Sequence, residues 1–154
     1  MMIWKCKNYS SLSTDELYQI LRIRQEVFVI EQDCNYLDVD NLDKDSEHLL
    51  CYKQDVLIAY MRIYFNPDNV NEISFGRILV KQQFRGMGIG KELIQRGIDL
   101  NSNSFKKRIV SMSAQVYLIK FYESLGFQSV GEQYLEDEIP HIKMIRHGNG
   151  QDML

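Results

Sequence analysis

The chain has 154 residues, 45% hydrophobic and 25% charged, with a formal net charge of −3. That length and balance fit one soluble globular domain, large enough to bury a core without metals or disulfides. The small negative charge argues against general nucleic-acid binding, no apolar run approaches membrane-spanning length, and no apolar signal region opens the chain, so a cytoplasmic protein with no membrane partner is expected.

Residues 2–9 read as a first strand. A helix follows from Ser13, where Glu16 three residues on completes a capping box and Leu17, Ile20, Leu21, Val27 and Phe28 form the apolar stripe. From Glu31 to Glu47 the chain turns acidic, with Glu31, Asp33, Asp38, Asp40, Asp43, Asp45 and Glu47 set against Lys44 alone. A calcium loop is excluded, because glycine is missing after Asp38-x-Asp40 and Leu42 stands at a ligand position. Two readings stand: a solvated loop, or a wall of a binding site that attracts a cation. Cys6, Cys34 and Cys51 are odd in number and lack metal or redox spacing, which fits a reducing compartment. Residues 48–52 and 56–65 read as strands joined by a Gln54-Asp55 turn, and Asn66-Pro67-Asp68-Asn69 supplies the next turn.

The central stretch runs from Glu72 to Leu93. Apolar Ile73, Phe75, Ile78 and Val80 form a strand, which passes through Arg85-Gly86-Met87-Gly88-Ile89-Gly90-Lys91 into a helix carrying Leu93, Ile94 and Ile98. The first N–H groups of a helix lack internal partners and sit at the positive end of its dipole, so a diphosphate docked there gains several hydrogen bonds. Glycines let the backbone approach, and Arg85 offers a charged fork. A Walker loop is excluded: Gly86 and Gly90 enclose three residues instead of four, and Glu92 follows Lys91. A dinucleotide fingerprint fails as well, lacking glycine at Lys91 and an acidic residue after the next strand.

The helix over 89–100 is interrupted at Asn101-Ser102-Asn103-Ser104. Lys106-Lys107-Arg108 is the one basic cluster and reads as a solvated loop. Residues 109–114 form a strand, and a helix from Gln115 carries Leu118, Phe121, Tyr122 and Leu125 to a stop at Gly126. Residues 128–134 and 141–146 read as two closing strands around Ile139-Pro140. The predicted order is βα, three strands, α, β, α, two strands: an α/β (α+β) architecture in a single domain over 1–154.

Arg85-x-x-Gly88-x-Gly90 resembles the pyrophosphate loop of the GNAT superfamily of N-acetyltransferases, and Phe121-Tyr122-Glu123-Ser124-Leu125-Gly126-Phe127 resembles its second signature. Both occur in family order. Val27-Phe28-Val29-Ile30-Glu31-Gln32 with Cys34, Tyr36, Asp38 and Asp40, then Ala114-Gln115, then Glu136-Asp137-x-Ile139-Pro140-His141-Ile142 look like the ElaA-like subgroup. The chain departs from it at Gln115, where many members carry asparagine, and at Glu138, where the subgroup usually has glycine.

The resemblance implies a GNAT fold, with a mixed, mostly antiparallel sheet splayed between the fourth and fifth main strands and flanked by helices. It implies acetyl-CoA as acyl donor, no metal, and transfer to a small-molecule amine or peptide acceptor; a homodimer is an allowed assembly. The backbone of Ile78, Leu79 and Val80 would pair with the pantetheine arm, residues Arg85, Gly86, Met87, Gly88, Ile89, Gly90 and Lys91 would hold the diphosphate, and Gln115 and Tyr122 would face the donor. Tyr122 would be the general acid. Glu72 is either the general base or a plain strand residue, and His141 a base, an acceptor ligand or a structural donor. Arg77 would pair with the acidic segment, where Glu31, Asp38 and Asp40 are the acceptor-side candidates. The alternative function is a non-catalytic acyl-CoA sensor or scaffold.

Overall fold

The computed structural model describes residues 1–103 and 108–148. Its strands are β1 (Met2–Asn8), β2 (Ser46–Lys53), β3 (Val56–Phe65), β4 (Glu72–Val80), β5 (Ile109–Gln115), β6 (Gln128–Glu136) and β7 (Ile139–Arg146). They form one open sheet in the order β1-β2-β3-β4-β5-β7-β6. Every neighbouring pair is antiparallel except β4 with β5. Gln54 and Asp55 close the β2–β3 hairpin with φ of +51° and +65°, the mirror-image turn that matches strand twist.

Helix α1 (Thr14–Arg24) starts at Ser13 through the expected capping box: the Glu16 N–H donates to Ser13 Oγ at 3.0 Å, and the Ser13 N–H donates to Glu16 Oε1 at 2.9 Å. It packs Ile20, Ile23 and the following Val27 on one sheet face, against Leu50, Tyr52, Tyr60 and Leu79. Helix α2 (Ile89–Asn103) buries Leu93, Ile94 and Ile98 on the other face, against Met61, Ile63, Ile73, Phe75 and Val110. Each such side chain contributes about 1.5–3 kcal/mol. The helix comes so close that a Cβ on Gly97 would lie 2.4 Å from Met61 Cε and 2.8 Å from Phe75 Cζ. Among the described residues no helix is long and apolar enough to cross a membrane.

Three expectations need correction. Gln115 ends β5, and the segment after it is a short 3-10 turn (Val116–Leu118) leading into helix α3 (Ile119–Glu123), so Gln115 and Tyr122 do not share a helix. The closing hairpin turns at Asp137-Glu138, both at positive φ, which leaves Ile139 and Pro140 inside β7. Lys106 and Lys107 lie outside the described residues, whereas Arg108 stacks over Phe65 and donates to Val70 O at 2.8 Å.

The sheet opens at one place. β4 pairs with β5 only from Glu72 to Ser74. Beyond that, Tyr60 faces Leu79 while Arg62 faces Gly76, so Met61 stands opposite both Arg77 and Ile78. This is a bulge, with Arg77 in the left-handed region at φ +49°. It turns β4 out of its alternation and away from β5.

The bulge is held by charge. Arg24 is fully buried; its Nε meets Asp38 Oδ2 at 2.8 Å and its Nη1 meets Asp43 Oδ1 at 2.6 Å. Arg77 Nε reaches Asp38 Oδ1 at 2.8 Å, its Nη2 donates to Asp38 O, and Arg62 grips Asp40 with two bonds of 2.8 and 2.9 Å. Three guanidinium groups therefore neutralise Asp38, Asp40 and Asp43, so these three acids form neither a solvated loop nor a negative wall.

Removing one partner of such a set strands buried charge. Asp43→Asn, which leaves Arg24 and Arg62 short of a carboxylate, is expected to cost about 3–5 kcal/mol in urea denaturation.

The same network fixes the acid response. Burial would raise Asp40 and Asp43, but hydrogen bonds and charge from Arg62 and Arg24 outweigh it and hold both below the usual carboxylate range. Burial pushes His48 below its ordinary value; its Nε2–H donates to Asp43 O at 2.9 Å and its Nδ1 accepts from the Tyr60 hydroxyl. For His48 the unfolded chain binds a proton that the native chain refuses, so stability falls as pH drops below about 6.5. The two aspartates add a second loss as pH falls below about 3.8, through their lowered native values. Thermal melts between pH 7 and pH 3 are expected to show both limbs, and His48→Gln to remove only the upper one.

Candidate active site

The divergence of β4 and β5 leaves a cleft of about 520 Å³. Phe75 to Val80 form one wall, Ser113 and Gln115 the other, and Tyr117, Leu118 and Tyr122 come from the segment after β5. Glu136, Asp137, Ile139 and His141 contribute from the β6–β7 hairpin. The remaining side is a π-helical turn, Gln25–Glu31, where Gln32 N–H donates to Val27 O, five residues back, at 3.2 Å. The wider turn continues α1 and presents Val27, Phe28 and Glu31 to the cleft.

At the cleft's mouth stands the glycine loop. Gly86 and Gly88 both have φ of +81°, and a Cβ on either would meet nothing within 4 Å, so conformation and not space requires glycine. Gly90 lies outside the left-handed region. Among the described residues the backbone N–H groups of Gly86, Met87, Gly88, Ile89, Gly90 and Lys91 have no protein acceptor, and the first bond of the helix is Glu92 N–H to Gly88 O at 3.1 Å. Six donors at a helix N-terminus form a cradle that fits a diphosphate.

Arg85 is not the free fork that the sequence implied. Its Nη1 and Nη2 grip Glu31 at 2.6 and 3.0 Å, and its Nε donates to Val80 O at 2.8 Å. Glu31 is accordingly the partner of Arg85 across the mouth, and Val80 O is already taken. The β5-facing edge of β4 along Ile78 and Leu79 is left without a strand partner, as the added-strand role requires.

Tyr122 is 6% exposed, with its ring set edge-on against Phe121 and Phe127. Its hydroxyl has no hydrogen-bond partner among the described residues, yet no buried polar atom there lacks one, so the oxygen opens to the cleft. Burial, with a smaller contribution from Tyr117, pushes its pKa up to about 12. His141 is also 6% exposed. Its Nδ1–H donates to Ile139 O at 2.7 Å, which fixes the tautomer and leaves Nε2 as the basic atom, 3.3 Å from Glu136 Oε2. The Tyr134 ring stacks on the imidazole, and Tyr134 in turn bonds Ser113. Gln115 sits directly opposite His141 in the β5–β7 register.

The other candidates separate. Arg77 lines the cleft and pairs with Asp38 as expected, stacking over Tyr36. Asp38 and Asp40 lie behind it, outside the lining. Glu72 is at the closed end of the parallel pair, bonded to Asn69 and 3.6 Å from Lys143, and does not line the cleft; this removes it as a base there. Sequence reasoning assigned no role to Glu136, Tyr134 or Ser113. Locating the turn at Asp137-Glu138 would have placed Tyr134 opposite His141, and Glu136 opposite Ile139, diagonal to His141 on the same face.

A sheet whose one parallel pair diverges in front of a glycine-rich anion loop, with a protonated tyrosine inside the gap, defines an acyltransferase that draws on an acyl-CoA donor. The chain belongs to the GNAT acetyltransferase family, whose domain profile matches residues 13–147. It is a homologue of protein ElaA of Escherichia coli, at 38% identity over 148 residues, covering 95% of this chain and 97% of that protein. The crystal structure of Escherichia coli ElaA superposes with a TM-score of 0.90, covering 95% of this chain and 99% of that one. An acyl-CoA N-acyltransferase from Pseudomonas aeruginosa is similar at 38% identity, with a TM-score of 0.91 and coverage of 95% and 99%.

A ligand that binds only the native chain stabilises it by about 2.7 kcal/mol at a hundred times its Kd. Coenzyme A is therefore expected to raise the melting temperature of the parent protein. Gly88→Val, which places a β-branched residue at φ +81°, is expected to abolish that rise. A full shift in the variant would locate the diphosphate elsewhere.

Proposed function

We propose that the protein is an acetyl-CoA-dependent N-acetyltransferase, moving the acetyl group to a primary amine by direct attack within a complex of both substrates. The observation that carries this reading is the presence, in one cleft, of a buried tyrosine hydroxyl free of partners among the described residues and a histidine whose tautomer is fixed. Family membership and the homology to ElaA support it further.

In this reading Gly86 to Lys91 bind the donor's diphosphate, while the edges of Ile78 and Leu79 align its pantetheine arm. His141 Nε2 takes a proton from the acceptor's ammonium and passes it to solvent, which leaves a neutral amine. The amine nitrogen bonds to the thioester carbon and the C–S bond breaks. Tyr122 gives its proton to the departing sulfur, and the second proton lost by nitrogen as the amide forms restores the hydroxyl. One proton is released overall. A hydroxyl with its pKa near 12 stays protonated at neutral pH and donates only to a strong base such as an alkyl thiolate.

Tyr122→Phe keeps the ring packing and removes only the hydroxyl. It is expected to lower kcat by roughly 10²–10⁴-fold, with the melting-temperature shift caused by coenzyme A unchanged. A variant that turns over at the parent rate would return Tyr122 to a packing role. A parent protein that binds acetyl-CoA but releases no thiol with any member of a broad amine panel would be an acyl-CoA-binding module.

A further inference from the structure

The protein has two acidic stretches on the cleft side, and arginines answer only one of them. Asp38, Asp40 and Asp43 are consumed by Arg24, Arg62 and Arg77, and Glu31 by Arg85. At the β6–β7 turn, Glu136, Asp137 and Glu138 follow one another, all exposed, and among the described residues no lysine or arginine pairs with any of them. Glu136 and Asp137 line the cleft.

Two further observations point from this cluster to a ligand. With Nδ1–H committed to Ile139 O, the neutral His141 ring turns the lone pair of Nε2 toward Glu136 Oε2 at 3.3 Å. Two acceptors at that separation call for a hydrogen between them, and nothing in the protein supplies one while the imidazole is neutral. The Tyr122 hydroxyl, on a residue more than nine-tenths buried, opens into the same cleft without a protein partner.

We propose that the hairpin tip is the acceptor's recognition site and that the acceptor carries a second positive charge: a linear diamine or polyamine. One alkylammonium donates N–H bonds to Glu136 and His141 Nε2 together, bridging the two acceptors from the cleft side, and the distal cation rests against Asp137. This deepens the acyltransfer reading and rests on it. The attraction that one of the two sequence readings assigned to the segment over 31–47 belongs to the hairpin instead, because charge attracts only where it is not already neutralised.

The test is equilibrium binding, measured by calorimetry on the full chain with coenzyme A present, of a four-carbon linear diamine against the monoamine of the same length. The parent protein is expected to prefer the diamine roughly twofold to fivefold at low salt, a margin in keeping with exposed ion pairs. The double variant Glu136→Gln, Asp137→Asn is expected to lose that preference, with the melting-temperature shift from coenzyme A intact. Asp137 sits at φ +50°, which asparagine tolerates, so the turn survives the change. Asp45→Asn, an exposed acid away from the cleft, is expected to leave the preference untouched. No preference in the parent, a preference retained by the double variant, or an equal loss in Asp45→Asn would each overturn the site. A diamine bound as expected but never acetylated would count against the transfer reading while leaving the recognition site standing.

Discussion

A fully buried arginine must have its charge met inside the protein, and the pairing of Arg24 with Asp38 and Asp43 organises the catalytic half of this molecule. An isolated guanidinium in the core would cost several kcal/mol, so the chain after α1 has to return to it. That requirement pulls the segment over 31–47 down onto the sheet. Asp38 then has a second carboxylate oxygen left over, which accepts from Arg77 and the Tyr36 hydroxyl, and its backbone carbonyl accepts from Arg24 and Arg77 together. Arg77 is the residue held at positive φ, a conformation that costs of order 1–3 kcal/mol and persists only where the surroundings impose it. One charge therefore fixes a helix end, a long connection and the bend that opens the sheet.

The opening has a consequence for hydrogen-bond accounting. A strand that leaves its neighbour exposes backbone donors and acceptors along both facing edges, and these groups must find water or a ligand. On β4 part of the demand is met internally, since Arg85 Nε bonds Val80 O. The remainder of the edge, together with six unanswered N–H groups over Gly86 to Lys91, lies along one continuous line from the cleft to its mouth. A long ligand with amide groups at one end and phosphates at the other, the chemistry of a coenzyme A thioester, would satisfy both sets at once with little help from side chains.

Features set by neighbours in sequence were legible before the structure was known. The Ser13–Glu16 capping box, the Gln54-Asp55 turn and the strand-to-glycine-to-helix passage all depend on residues a few positions apart, and all took the form expected. Features set by distant partners were not. The acidic run over 31–47 looked unopposed because its counter-charges come from Arg24, Arg62 and Arg77, and local composition carries no trace of them. Arg85 looked free for the same reason, its partner Glu31 lying 54 residues away. Glu138 and Asp137 hid the hairpin turn because neither is glycine, although both adopt the positive φ that the turn demands. Pro140, read as turn chemistry, instead occupies the second position of β7.

Tyr122 and His141 stand in one cleft and are buried to the same degree, in unlike surroundings. Burial disfavours whichever form is charged. For a phenol the charged form is the deprotonated one, so the apolar rings of Phe121 and Phe127 help keep Tyr122 a donor. Around His141 the surroundings differ: the Glu136 carboxylate stands 3.3 Å from Nε2, the ring nitrogen that the Nδ1–H bond to Ile139 O leaves free. Among the described residues the Tyr122 hydroxyl has no such neighbour. Equal burial thus comes with a carboxylate beside one group and aromatic edges around the other, and the proposed division into acid and base rests on that asymmetry.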